Sequence, residues 1–317
     1  MDGILIIDKP SGITSYQVVA KVKKLLKAAK AGHGGTLDPL ATGVLPIFLN
    51  RATKLVPFLM NGTKRYRATL RLGIETETQD REGKITAKSN HITEDHQLII
   101  QTLNSFKGTI KQIPPMFSAL KVQGTPLYKL ARKGISLDLK ARKVHIYEIK
   151  VIDIRLPHVI FEVCCSPGTY IRTLCADIGK KLECGAHLVE LKRLQSGNFR
   201  LDDSFSLDQI NLLAEQNSIK ENLFSLSESF KALPKVMVDN QVITTLRKSR
   251  TILASHLKNT PLPPVKKGDI LKVTSREDNL IAIVQSLINK NNLSMIPDKK
   301  RVWNLICLFN PQENTLH

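Results

Sequence analysis

The amino-acid sequence predicts a mixed α/β (α+β) fold, in which a central mixed or antiparallel sheet is followed by a small β-rich domain. Three observations carry this. In residues 64–73 the apolar Tyr66, Ala68, Leu70 and Leu72 alternate with Arg65, Arg67, Thr69 and Arg71, the period-two pattern of a strand with unlike faces. Val18, Val22, Leu25 and Ala29 recur at spacings of four, three and four, which puts them on one face of a helix. Residues 235–317 hold short apolar runs split by turns and read as a β-rich unit. A chain of 317 residues with 42% hydrophobic residues has room for two cored domains, here placed at 1–232 and 235–317.

Taken in order, Ile4–Ile7 is a short buried strand and Asp8-Lys9-Pro10-Ser11-Gly12 a turn. Thr14 or Ser15 caps the helix that follows. Opposite its apolar face stand Lys21, Lys23, Lys24, Lys27 and Lys30 with no acid among them, a stripe suited either to solvent or to a phosphate backbone. After the strand at 64–73, residues 75–83 form an acidic, turn-rich connection. Residues 91–112 read as helical, with Leu98, Ile99, Leu103 and Phe106 apolar. The prolines and glycines of 114–142 predict irregular structure. In 121–143 seven bases face one acid, Asp138, a local charge of +6 that suits a segment ordering on a polyanion. Val144–Asp153 and Val159–Cys165 are strands. Ser166-Pro167-Gly168-Thr169 then turns into a helix carrying Ile171, Leu174, Cys175, Ile178 and Leu182. Residues 205–232 are short helices and a linker. Strands at Ile270–Val273, Leu280–Val284 and Val302–Phe309 complete the chain.

Forty-seven Lys and Arg against 28 Asp and Glu give a net charge of +19, which points to a polyanionic partner, nucleic acid before an acidic membrane. The five cysteines form no CxxC pair and no zinc-type spacing, which suits a reduced, cytoplasmic protein. The N-terminal apolar run is too short for a signal sequence, and no run approaches a membrane span.

One stretch stands out chemically. Gly32 to Pro46 packs four glycines and two prolines around His33 and Asp38. Glycine frees the backbone for turns, and Pro39 biases Asp38 away from helix, so the carboxylate is held on a shaped loop of the kind that carries function.

Four patterns stand in one order: Asp8-Lys9-Pro10-Ser11-Gly12, Gly32-His33-Gly34-Gly35-Thr36-Leu37-Asp38-Pro39-Leu40-Ala41-Thr42-Gly43, Lys64-Arg65-Tyr66-Arg67 and Ser166-Pro167-Gly168-Thr169-Tyr170-Ile171-Arg172. Together, from about residue 3 to about 200, they resemble the TruB family of tRNA pseudouridine synthases. The resemblance implies a pseudouridine-synthase catalytic domain over 1–232 and a PUA-like RNA-binding domain over 235–317. It implies conversion of uridine 55 in the T loop of tRNA, with 114–142 closing over the RNA. The catalytic aspartate falls on Asp38, the base-stacking tyrosine on Tyr66, and a second tyrosine and the aspartate's arginine on Tyr170 and Arg172. The RNA-contacting histidine falls on His33, an apolar pocket residue on Leu191 and an organising aspartate on Asp80, with Lys9 in a supporting place. Glu77 stands where the family favours aspartate, and Lys192 where it favours arginine. The implied protein is a monomer with no cofactor and no metal.

Pseudouridine formation breaks C1′–N1, turns the uracil and joins C5 to C1′, so neither a P-loop, a dinucleotide fingerprint nor metal spacing is needed, and none occurs. It needs an ionised carboxylate near the sugar or base, and Arg172 beside Asp38 is expected to favour that form. A uridine in a folded loop must be flipped out, and an aromatic face such as Tyr66 receives it. Tyr170 is expected to wall the other side and Leu191 to exclude water. The rival expectation is a non-catalytic RNA-binding or RNA-folding protein on the same scaffold, which would not require Asp38, Tyr66 and Arg172 together.

Overall fold

The computed structural model describes residues 1–258, 260–290 and 295–309. The chain forms two compact units, one of Leu5–Leu49 and Leu55–Asn222, the other of Met1–Ile4, Asn50–Lys54 and the chain from Leu223 onward.

The strands that shape the larger unit are β1 (Gly3–Lys9), β2 (Ala31–His33), β3 (Thr42–Leu49), β4 (Lys64–Leu72), β5 (Ile74–Thr76), β6 (Ile85–Lys88), β7 (Gly108–Gln112), β8 (Lys121–Val122), β9 (Thr125–Pro126), β10 (Arg142–Arg155), β11 (His158–Cys165), β12 (Ala186–Ser196) and β13 (Phe199–Arg200). Its helices are α1 (Ser15–Leu25), α2 (Val56–Leu59), α3 (His96–Asn104), α4 (Leu127–Ala131), α5 (Ile171–Lys181) and α6 (Leu207–Glu215). The central sheet runs β1-β3-β12-β4-β11-β10-β7, with β2 on β3 and β13 on β12. It is mixed: β12 runs parallel to β3 and antiparallel to β4, and β4, β11 and β10 pair antiparallel.

β4 follows its sequence pattern, with Tyr66, Ala68, Leu70 and Leu72 buried. Its basic face is not open for phosphate along its whole length. Arg67 pairs with Glu162 directly across the register at 2.7 Å, and Arg65 with Glu148 at 2.8 Å.

Three readings change. The apolar helix face extends only to Leu25. Lys27 takes a left-handed φ of 48°, the Ala28 amide bonds the Lys23 carbonyl, and Ala29 lies exposed beyond the helix. The stretch 91–112 splits into α3 and the strand β7 at Gly108, whose φ of +104° turns the chain. The stretch 114–142 is not wholly irregular, for it holds the β8–β9 hairpin and α4.

The smaller unit has β14 (Lys235–Met237), β15 (Ile252–Leu253), β16 (Ile270–Thr274), β17 (Leu280–Ser286) and β18 (Arg301–Leu308) in one sheet, ordered β14-β16-β17-β18-β15. Helix α7 (Asn240–Ser249) and the buried Trp303 fill its core. Strand β18 ends at Leu308, one residue short of the expected Phe309.

Candidate active site

The loop 34–41 connects β2 to β3 and carries Asp38, and several independent groups hold it. The buried Ser15 hydroxyl bonds Leu37 twice, accepting from its amide at 2.8 Å and donating to its carbonyl at 3.0 Å. Thr14, not Ser15, caps α1 in a capping box with Gln17, which leaves Ser15 for the loop. The Lys9 ammonium, fully buried, donates to the carbonyls of Pro10 (2.8 Å), Ile13 (2.7 Å) and Pro39 (3.1 Å), so the first turn and the aspartate loop are tied through one charge. Burial pulls its pKa down to about 8, against the pull of Asp38 and Glu82 the other way. At the far end of the loop Gly43 has a φ of +97°, and a Cβ there would run into the Arg193 backbone.

Arg172 enters from the first turn of α5. Its side chain is 5% exposed, and its three nitrogens meet four acceptors. Nε pairs with Asp38 Oδ2 at 3.0 Å. Nη1 meets Asp80 Oδ2 at 3.2 Å and the Thr78 carbonyl at 3.0 Å, and Nη2 meets the Phe117 carbonyl at 2.7 Å. Asp80 is buried in turn, its Oδ1 accepting from the Thr78 hydroxyl (2.6 Å) and the Glu82 amide (3.0 Å). One guanidinium therefore joins the aspartate loop, the β5–β6 connection and the segment 114–142. Asp38 differs from Asp80 in being 36% exposed at its side chain, with access to solvent that its partners lack.

The open face of Asp38 looks into a cleft of about 680 Å³. Asp38, Arg172, Asp80 and His33 line it, as do Tyr16, Phe117, Tyr128 and Arg132. Burial raises the Asp38 pKa above its ordinary 3.8; Arg172 opposes this, Asp80 adds to it and Lys9 opposes it. Arg172 does favour the ionised form, and burial is the larger of the two effects. His33 is pushed below 6.5 by burial and by Arg193, so it is neutral near pH 7, and its buried Nδ1 has no hydrogen-bond partner among the described residues.

Tyr66, Tyr170, Leu191 and Lys9 are outside the cleft lining. Tyr66 is buried on β4 opposite Arg193, and Leu191 is buried on β12 opposite Ala68, so the two are diagonal neighbours on one sheet face. Burial pushes the Tyr66 hydroxyl's pKa up, while Arg193 pulls it down. Tyr170 precedes α5, half-buried, its backbone gripped on both sides by the buried Gln112 amide at 2.8 and 3.0 Å.

Arg193 is the residue that sequence reasoning passed over. It is 1% exposed and donates Nε to the Val44 carbonyl at 2.7 Å and Nη2 to Gly35 at 3.0 Å, bracing the aspartate loop from β12. Its only signal was a basic pair, Lys192-Arg193, between Leu191 and Leu194. Of the departures from the family pattern, Lys192 lies 3.5 Å from Asp8.

Comparison with known proteins follows the same residues. Residues 23–171 match the TruB family pseudouridylate synthase N-terminal domain, and residues 172–237 match the tRNA pseudouridylate synthase B C-terminal domain. The chain is 43% identical over 285 residues to tRNA pseudouridine synthase B of Clostridium tetani, covering 90% of this chain and 96% of that one. It is 42% identical to the protein of the same name from Syntrophus aciditrophicus, over 93% and 94% of the two chains. Among solved structures it resembles a chain of an H/ACA ribonucleoprotein bound to a substrate RNA containing 2′-deoxyuridine, with a TM-score of 0.74, 27% identity, and coverage of 98% and 86%.

Proposed function

This chain belongs to the TruB family of pseudouridylate synthases, and we propose that Asp38 is the group through which it acts on its target nucleoside. The protein is an enzyme that isomerises uridine to pseudouridine in tRNA, the activity its relatives are named for. The C1′–N1 bond breaks and a C1′–C5 bond forms; C5 gives up its proton and N1 takes one, so no atom is gained or lost. The non-catalytic binding protein is not the favoured reading.

The single observation that carries the role of Asp38 is its contrast with Asp80. Two carboxylates share one buried guanidinium, and one of them keeps an open face toward a cleft. Arg172 fixes the orientation of Asp38 while its other donors are held elsewhere. Attack at C1′, attack at C6 and elimination through a glycal all begin from this placement. His33, which lines the cleft, supports a hydrogen bond to the extruded nucleotide. Tyr66 serves as the stacking surface, with Tyr170 and Leu191 around it. Since none of these three lines the cleft of the free protein, the reading requires the cleft to deepen when RNA enters.

The substrate nucleotide on this reading is uridine 55 of the T loop, with 114–142 as the clamp. Its α4 already lends Tyr128 and Arg132 to the cleft wall, which supports that part. Residues 235–317 are taken as a PUA-like RNA-binding domain. The protein is taken to work as a monomer in the cytoplasm, in keeping with five free cysteines.

The test is Asp38→Asn assayed by tritium release from 5-tritiated uridine in tRNA, with the modified position mapped by sequencing. Release should vanish while the fold persists, and in wild type the product should map to position 55. Near-normal release from folded Asp38→Asn would sink the assignment.

A further inference from the structure

The side chain of Tyr16 stands apart from the contacts that Arg172 makes with Asp38 and Asp80. It is 76% exposed, although it sits at the start of α1 on the rim of the cleft that Asp38 opens into. An aromatic ring held that far out of the core forgoes the burial that ordinarily keeps tyrosine stable. Among the described residues no ring and no cation covers it, whereas across the cleft the Tyr128 ring already carries Arg132 at 5.7 Å. The backbone beneath Tyr16 is fixed on both sides: Ser15 is bonded twice to Leu37, and Gln17 closes the capping box with Thr14. The ring therefore stands on a fixed stretch of backbone, whose neighbour Ser15 is tied to Leu37, the residue next to Asp38.

We propose that Tyr16 stacks an unpaired base of the RNA, a nucleotide flanking the target uridine, and so sets the register of the strand in the cleft. The proposal rests on the RNA-modifying reading of the site. A planar, sequence-tolerant partner is what an exposed ring offers, since every base has a π face. The same helix supplies the backbone contacts. Counting 100° per residue from Tyr16, Ala20 and Lys23 fall on its face and Lys24 lies beside it; both lysines are exposed. They stand seven and eight residues along, roughly 10–12 Å from the ring, where the phosphates of the strand carrying the stacked base run. The basic stripe of α1 thereby has a direction, leading away from the cleft.

The experiment measures RNA affinity and turnover separately, on the full chain. Binding of a T-stem-loop RNA is read by fluorescence anisotropy and turnover by tritium release. Tyr16→Ala should weaken binding about tenfold and raise KM with little change in kcat, while Tyr16→Phe, which keeps the ring, stays near wild type. Two further RNAs carry an abasic residue immediately 5′ or 3′ of the target. One of them should weaken binding to wild type but bring no further loss to Tyr16→Ala. Wild-type affinity in Tyr16→Ala, or additive losses with both abasic RNAs, overturns the proposal. A wild-type protein that binds the RNA yet forms no pseudouridine would instead overturn the functional reading, leaving the stacking result to stand on binding alone.

Discussion

Replacing Arg172 tests whether the site is organised as its geometry indicates. The side chain is buried and makes four contacts: Asp38, Asp80 and the carbonyls of Thr78 and Phe117. Arg172→Met removes the cation from between two carboxylates. Breaking a buried ion pair in this way costs about 3–5 kcal/mol, and each stranded carbonyl adds about 1–3 kcal/mol. Against a total stability of roughly 5–15 kcal/mol, that variant is expected to fold poorly or not at all. Arg172→Lys is the informative one. It keeps the charge but has three donors on a single nitrogen and no planar fork, so at least one of the four acceptors goes unmet. One lost contact of this kind costs about 1–3 kcal/mol, a fall in Tm of about 2–10 °C at this chain length. The larger effect is on chemistry. A carboxylate displaced by about 1 Å loses on the order of a hundredfold in rate, so kcat for tritium release should fall about a hundredfold with KM little changed. Arg172→Lys retaining half or more of wild-type kcat would refute the view that this guanidinium orients Asp38. Arg172→Met melting with wild type would refute the energetic argument as well.

The remaining predictions concern charge and backbone. The Asp38 pKa lies above 3.8, so kcat/KM should fall with acidification through a pKa higher than that of an ordinary aspartate. The same shift means that the folded state binds more protons than the unfolded one above pH 3.8, so the charge of Asp38 destabilises the fold at neutral pH. Asp38→Asn should therefore melt no lower than wild type at pH 7, and a clear drop in Tm would contradict this. Asp80 raises the Asp38 pKa, so Asp80→Asn should move the acid limb to lower pH, and a limb moving upward would remove Asp80 from the electrostatics of the site. Lys9 is lowered to about 8 from 10.5, so the unfolded chain binds more protons between these values and stability from this group rises with pH across that window. Melting curves at pH 8 and 10.5 should show a smaller upward trend in Lys9→Met than in wild type. Gly43→Ala should lower Tm substantially, because φ is +97° and the new Cβ would strike the Arg193 backbone; an unchanged Tm would show that the β3–β12 pairing yields there.

What was legible in the sequence follows from which interactions are local. The strand β4 and the core face of α1 are written in side-chain periods of two and 3.6, and both appear where the pattern put them. The end of α1 was not legible, since it stops at a left-handed lysine rather than at a glycine. The Gly108 break between α3 and β7 carried a visible signal that a helical period overrode. Strand β12 had no recognised pattern of its own, because register shifts between Leu188 and Glu190 and between Arg193 and Gln195 break its alternation, and because one of its inward places holds Arg193, whose partners are the carbonyls of Gly35 and Val44, some 150 positions away in the chain. The pairing of Asp38 with Arg172 came from motif order, not from any local rule.

The four charges around the aspartate loop explain why motif order was needed. Asp38 and Asp80 are balanced by Arg172 and Lys9, yet the two cations do unlike work. Lys9 bonds only backbone carbonyls, and so fixes where the loop runs. Arg172 divides itself between two carboxylates and the carbonyls of two separate segments, and so fixes where the carboxylate points. Neither fully offsets the desolvation of Asp38, whose pKa stays raised. A carboxylate that is oriented and partly desolvated is a better base or nucleophile than one fully relaxed in water, because its surroundings need less rearrangement when the substrate arrives. The Phe117 carbonyl puts one of the four Arg172 contacts on the segment that also presents Tyr128 and Arg132 to the cleft. Any movement of that segment on RNA is thereby felt at the guanidinium, and through it at Asp38.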